Sequence, residues 1–264
     1  MKAYDKAAID AALQTKKMGR PLYFYTETES TNDCIRALAQ EGAAEGTLAV
    51  AVRQSAGRGR RGRAWQSGAD GIWMSLLLRP AILPAQASTL TLLIGLALTE
   101  AIAQATGLQP MLKWPNDILL NGKKLVGILT ELDADADEIR AITVGMGINV
   151  QTRVFPQELQ AVATSLYLES GREFDRAAII AAAMEQIERY YARFLAAGGS
   201  FAPFREEYRA KCLNIGRDVR VIGRESYLAR ALDITPEGEL LVKRRDTGRT
   251  EVVFSGEVSI RGEE

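Results

Sequence analysis

The chain has 264 residues, 47% of them hydrophobic and 25% charged, which is enough for one large domain, or one plus a small satellite, with a real core. Its 33 basic and 33 acidic residues cancel. That excludes a global field drawing in nucleic acid or anionic membrane, so charge recognition has to be local. There is no histidine, which sets aside hydrolases with a histidine base, histidine proton relays and most zinc catalysis; chemistry falls to lysine, arginine and carboxylates.

In chain order, residues 5–17 read as a short helix and Leu22–Thr26 as a strand. Ser30 followed by Asp33 resembles a capping box opening a helix over Thr31–Glu41. Strands follow at Thr47–Val52 and Ile72–Leu78, then a long buried helix over Ala85–Thr106, apolar on several faces. Beyond Pro110 the pattern turns to strands at Met111–Trp114, Asp117–Leu120 and Leu125–Glu131, with Asn121-Gly122 marking a type I′ hairpin. The acidic run Asp133–Glu138 reads as a solvated turn, Ile139–Val150 as a strand, and 175–196 and 201–212 as helices.

From Asn214 onward helical periodicity stops, and five short strands take over at Val219–Ile222, Tyr227–Ile234, Glu239–Lys243, Glu251–Phe254 and Val258–Arg261. The expectation is an α+β domain with a mixed sheet and flanking helices over 1–213, its first 20 residues a helical extension, and a small β-barrel over 214–264. Cys34 and Cys212 lie far apart with no metal-ligand spacing, pointing to a reducing compartment and no disulfide framework. The N-terminus lacks a signal-peptide core, and the apolar stretch Leu90–Ala103 is broken by Thr, Gly and Glu, so no spanning segment and a cytoplasmic protein are expected.

The most informative segment is Gln54-Ser-Ala-Gly-Arg-Gly-Arg-Arg-Gly-Arg-Ala-Trp65. Five arginines fall from Arg53 to Trp65 with no acidic residue among them, and glycines let backbone N–H groups turn toward an anion. It reads as a mobile phosphate-gripping loop. Gly57-x-Gly59-x-x-Gly62 also matches a dinucleotide fingerprint, but no helix follows and Arg79-Pro80-Ala81 stands where the ribose-binding acid belongs.

Four further segments are candidate site material: Glu29-Ser30-Thr31-Asn32, Lys113-Trp-Pro-Asn-Asp117, Gly122-Lys-Lys-Leu-Val-Gly127 and Gly145-Met-Gly-Ile-Asn149. Singly each has an ordinary structural reading: Ser30 caps a helix, Asn116-Asp117 turns the chain, Lys124 is an exposed lysine, Asn149 ends a strand. Together and in this order they resemble the biotin protein ligases, from about Tyr23 to the terminal Ser255-Gly-Glu-Val-Ser-Ile-Arg261, with GRGRRG and KWPND the most specific motifs.

The resemblance implies a core like that of class II aminoacyl-tRNA synthetases and a C-terminal Src-homology-3-like barrel. It implies that biotin and ATP give biotinyl-5′-AMP and pyrophosphate, and that a lysine of a biotin carboxyl carrier protein, as in acetyl-CoA carboxylase, then takes the biotinyl group. By similarity Ser30, Thr31, Asn32 and Gln54 bind the biotin head group, with backbone near Gly127 closing the pocket. Trp65 covers the adenylate, and Asn116 and Asn149 line the nucleotide side. Gly57 and Gly59, with Arg58, Arg60 and Lys124, bind the substrates, and Arg58, Arg60 and Lys124 are also the catalytic cations that neutralise charge as carboxylate meets phosphate. Mg²⁺ is expected mainly on the phosphates, with no protein metal site.

Some relatives carry an N-terminal DNA-binding domain and repress transcription. Here about 29 residues precede Ser30 and read as one helix and one strand, so a monofunctional ligase with no nucleic-acid or membrane partner is expected. A homodimer is compatible with the resemblance. Glu257 and Arg261 are weak candidates for a role of the barrel in binding. The nearest rival is a lipoate ligase or octanoyltransferase, which usually shows a glycine-rich motif ending in the histidine this chain lacks. A phosphate-binding nucleic-acid protein and a non-catalytic biotin-binding module are the rivals from other classes.

Overall fold

The computed structural model describes residues 4–136, 138–223, 225–254 and 257–260, the side chains at 257 and 260 excepted. Its principal sheet has seven strands: β1 (Leu22–Thr28), β2 (Leu48–Gln54), β3 (Ile72–Leu78), β4 (Met111–Lys113), β5 (Asp117–Leu120), β6 (Lys123–Ala134) and β7 (Ile139–Ile148). The order is β1-β2-β3-β7-β6-β5-β4, with β1 and β2 parallel and every other neighbouring pair antiparallel. Helices α1 (Lys6–Ala12), α2 (Thr31–Gln40), α3 (Ala87–Thr106), α4 (Leu166–Ser170), α5 (Arg176–Ala196) and α6 (Arg205–Lys211) flank it.

Side chains alternate along a strand, so the two faces of the sheet have different work to do. One face, with Val50, Met74, Ile128 and Met146, buries α3 and α5 into the main core. By length and composition α3 could cross a membrane, yet 72% of its most apolar window is buried, as in a core helix. The other face is covered only partly by α2, which packs Ile35 against Ala49, Leu77 and Ala141. The uncovered remainder of that face holds the candidate site.

A second, antiparallel sheet contains β8 (Asp218–Ile222), β9 (Ser226–Ile234), β10 (Leu240–Arg244), β11 (Thr250–Val253) and β12 (Glu257–Ile260), ordered β11-β10-β9-β8-β12. Buried and half-buried polar bonds tie it to the end of β4 and to α6. Trp114 Nε1 donates to the Gly238 carbonyl at 3.0 Å, the Trp114 N–H donates to Asn214 Oδ1 at 2.8 Å, and Arg205 reaches the Ile234 carbonyl and Asp233. Gly238 has φ +85°, and a Cβ there would lie 2.6 Å from Leu92, so only glycine allows this approach.

Several expected boundaries move. The first helix ends at Ala12, because the Lys16, Lys17 and Met18 N–H groups turn to the Glu188 carboxylate instead of continuing the helix. The acidic run is partly strand, since β6 continues to Ala134. The expected helix at 201–212 begins as a 3-10 turn, Ala202–Phe204, and α4 and the 3-10 turn Arg60–Gly62 are additional short elements. The Asn121-Gly122 hairpin is as expected, with φ of +50° and +83°. Ser30 sits at the N-cap of α2 but its side chain caps nothing, and Asp33 turns away to Arg58 and Arg36. Ser255, Gly256 and Arg261 and the side chain of Glu257 lie outside the described residues.

Candidate active site

The open face forms a cavity of about 430 Å³. Its floor follows from strand register. Trp73 lies opposite Gly147, Gly147 opposite Gly127 and Gly127 opposite Asp117; one step along, Ser75 lies opposite Gly145 and Gly145 opposite Leu129. Three of these positions are glycine, and the missing Cβ atoms are what leave room. A Cβ on Gly147 would meet Trp65 Nε1 at 2.5 Å, one on Gly127 would meet the same ring at 2.8 Å, and one on Gly145 would overlap the Asn32 amide.

At one end are neutral polar groups. Ser30, Thr31 and Asn32 come from the start of α2, and Gln54 from the end of β2. Gln54 Oε1 accepts from the Thr31 N–H at 2.8 Å and Gln54 Nε2 donates to Ser67 Oγ at 2.8 Å, which fixes its amide. Thr31 and Asn32 share a hydrogen-bond network with Ser75 and Glu131, neither of which falls within the candidate motifs. Ser75 had an available signal, a lone hydroxyl in the otherwise apolar run Ile72–Leu78.

At the other end are cations. Lys124 Nζ lies 2.7 Å from Asp117 Oδ1 and 5.1 Å from the Trp65 ring centroid. Its backbone is tied on both sides to the 162–164 segment. Arg60 donates to Asn116 Oδ1 at 3.0 Å, and Asn116 Nδ2 donates to the Ile128 carbonyl. Asn149 donates to the Thr164 carbonyl, and Phe155, Leu159 and Val162 add an apolar wall. Trp65 stands against Trp73 edge to face, and its Nε1 is buried without a hydrogen-bond partner.

The arginine loop is more internally bonded than its sequence suggests. The Gly59 N–H donates to the Arg63 carbonyl at 2.7 Å rather than facing a ligand, and the Trp65 N–H donates to the Gly57 carbonyl. Gly57 lies outside the cavity lining, and a Cβ there would come within 2.5 Å of Ser67 Oγ and the Trp65 carbonyl. Arg58 lines the cavity but its guanidinium grips Asp33 with bonds of 2.8 and 2.6 Å. The Arg58 hydrogen bonds, with Arg36 beside them, hold the Asp33 carboxyl below its usual range, and the same pair raises Arg58. Among the described residues no three His, Cys, Asp or Glu side chains gather to hold a metal.

Residues 24–149 match the model of the Biotin/lipoate A/B protein ligase family. The chain is 40% identical over 245 residues, 91% of its own length and 75% of the relative's, to the bifunctional ligase/repressor BirA of Bacillus subtilis. It is 35% identical over 247 residues, 90% of its length and 88% of the relative's, to the biotin–[acetyl-CoA-carboxylase] ligase of Mycobacterium tuberculosis. Among solved structures, the biotin protein ligase from Aquifex aeolicus in complex with biotin and ATP superimposes with a TM-score of 0.79 at 31% identity, covering 92% of this chain and 99% of that one. Fold and site thus define an enzyme of the ligase class. The chain belongs to the Biotin/lipoate A/B protein ligase family, among its biotin protein ligases.

Proposed function

We propose that this protein activates biotin with ATP and passes the biotinyl group to a lysine of a biotin carboxyl carrier protein. The observation that carries this reading is the union, in one 430 Å³ cavity, of a neutral hydrogen-bonding end at Ser30, Thr31, Asn32 and Gln54 with a cationic end at Lys124 and Arg60. A cyclic urea suits the first end, and a carboxylate meeting a triphosphate suits the second.

In this reading a biotin carboxylate oxygen attacks the α-phosphorus of ATP, the bond to the β-phosphate oxygen breaks, and pyrophosphate leaves with the electron pair. Two anions are brought together, so fixed cations lower the barrier by neutralising charge as it builds. Lys124 is the cation best placed for this, because Asp117 and the Trp65 ring hold its ammonium at the glycine-cleared floor. Arg60, steadied by Asn116, serves the phosphates. Arg58 joins it only by exchanging Asp33 for phosphate. The carrier lysine amine then attacks the acyl carbon and AMP leaves. Trp65 shields the mixed anhydride from water. Mg²⁺ fits as a companion of the triphosphate, since the carboxylate at this end, Asp117, is paired with Lys124 and supplies no cage.

We take residues 1–213 as the catalytic unit, 214–264 as an accessory one, and the cytoplasm, where free thiols persist, as the site of action. No operator binding is proposed for residues 4–29, which hold one seven-residue helix and β1. Biotin-dependent ATP–pyrophosphate exchange, with lipoate and octanoate in parallel, tests the reading. Exchange with biotin alone supports it, exchange with lipoate or octanoate assigns the protein to the sister activity, and exchange with none refutes activation.

A further inference from the structure

Ser75 is fully buried in the middle of β3, and the wall above it is the start of α2. Its Oγ lies 2.6 Å from Asn32 Oδ1 and 2.7 Å from Thr31 Oγ1. Asn32 Nδ2 donates to Glu131 Oε2 at 2.8 Å. Thr31 and Asn32 are themselves buried, so these contacts have little water to fall back on.

Counting hydrogens gives the network a direction. An ionised carboxylate only accepts, so Glu131 forces the Asn32 NH₂ toward itself and the Asn32 carbonyl toward Ser75. Asn32 Oδ1 carries no hydrogen; the one in its 2.6 Å contact must therefore be that of Ser75. The Ser75 hydroxyl is then spent, so toward Thr31 Oγ1, 2.7 Å away, it can only accept. Gln54 Oε1, 3.0 Å from Thr31 Oγ1, competes for the Thr31 hydroxyl hydrogen while already accepting the Thr31 N–H, so that one hydrogen is spent within the wall on either oxygen. With its hydrogen spent, Thr31, which lines the cavity, offers a ligand only the lone pairs of Oγ1. Asn32 keeps one N–H, and the Ser30 hydroxyl, not engaged in capping, remains a donor. The register that seats Ser75 opposite Gly145, where a Cβ would overlap the Asn32 amide, keeps the pieces together.

We propose that Ser75 and Glu131 are positioning residues that fix the hydrogen-bond polarity of the pocket's neutral end, so that Thr31 accepts while Ser30 and Asn32 donate. A cyclic urea, with one carbonyl oxygen flanked by N–H groups, is the complement of that polarity. The inference rests on the biotin reading and adds to it two residues that need not touch the ligand.

The test uses the full chain and the variants Ser75→Ala, Ser75→Cys and Glu131→Gln. Dissociation constants are measured for biotin and for 2-thiobiotin, a neutral analogue whose sulfur accepts hydrogen bonds more weakly than oxygen. The unmutated protein should prefer biotin. Ser75→Ala and Glu131→Gln should each cut that preference about fivefold, the equivalent of one net hydrogen bond, and raise the KM for biotin more than they lower kcat; Ser75→Cys should fall between. A merely structural role lowers thermal stability and weakens both ligands equally, so an unchanged preference in folded variants overturns the proposal. If Ser75→Ala does not fold, Glu131→Gln decides alone. Failure of the unmutated protein to bind biotin would instead remove the underlying reading.

Discussion

Lys124 Nζ lies 2.7 Å from Asp117 Oδ1, and it reaches that carboxylate because Leu125 breaks the alternation of β6. Val126 pairs with Ile118, but the next pair is Lys124 with Leu119, so the register slips by one residue. Val126 and Ile128 face the main core, and regular alternation would send Lys124 after them; the extra residue turns it to the cavity side. Lys124→Ala is expected to lower biotin-dependent ATP–pyrophosphate exchange by about 10²–10³ with an unchanged circular dichroism spectrum. Near-normal exchange by a folded variant would remove Lys124 from the chemistry.

Gly147→Ala places a methyl group 2.5 Å from the buried Trp65 Nε1, against a ring already backed by Trp73. Overpacking of this kind costs about 1–3 kcal/mol, and moving the indole should also weaken retention of the adenylate. Tryptophan fluorescence and ATP affinity should change together. A variant matching the parent in both would show that the ring has another resting place.

Arg60→Gly removes the guanidinium that bridges the arginine loop to Asn116. The reaction intermediate should then escape faster and label free lysines on bystander proteins, a readout separate from overall turnover. The measurement is the decay rate of the isolated enzyme–intermediate complex. A rate equal to the parent's would contradict a retaining role.

Asp33 gives an acid-side signature. Its folded-state pKa is depressed by Arg58 and Arg36 below 3.8, so its contribution to stability is full above that unfolded value and is lost as pH falls through the lower folded one. The carboxylate is about one-third exposed, so solvent screening limits the effect to under about 1 kcal/mol. Asp33→Asn should therefore melt slightly below the parent at neutral pH and converge with it in strong acid. A gap that persisted there would assign the loss to packing.

Trp114→Phe deletes the donor to the Gly238 carbonyl, one of the buried bonds joining the second sheet to the first. An unsatisfied buried carbonyl costs about 1–3 kcal/mol, which urea unfolding would register as a lower midpoint. An unshifted midpoint would mean that this bond adds nothing to a junction held by its remaining polar bonds and apolar contacts.

Features that depend on neighbours along the chain are legible in the amino-acid order. Periodicity marks α3 and α5, the Asn121-Gly122 turn needs two positive φ values that few other residue pairs accept, and the arginine–glycine run concentrates positive charge in one loop. Features that depend on register and on distant partners emerge only in the folded chain. Folding turned Lys124 into the cavity through a one-residue slip, tied Arg58 to Asp33 and set Ser75 beneath Thr31 and Asn32. It also gave Gly127, Gly145 and Gly147 their purpose as the cleared floor beneath Trp65 and Asn32. Local sequence carries backbone preference. Which side chains meet is set by strand pairing, where moving one residue reverses the face that every later side chain presents.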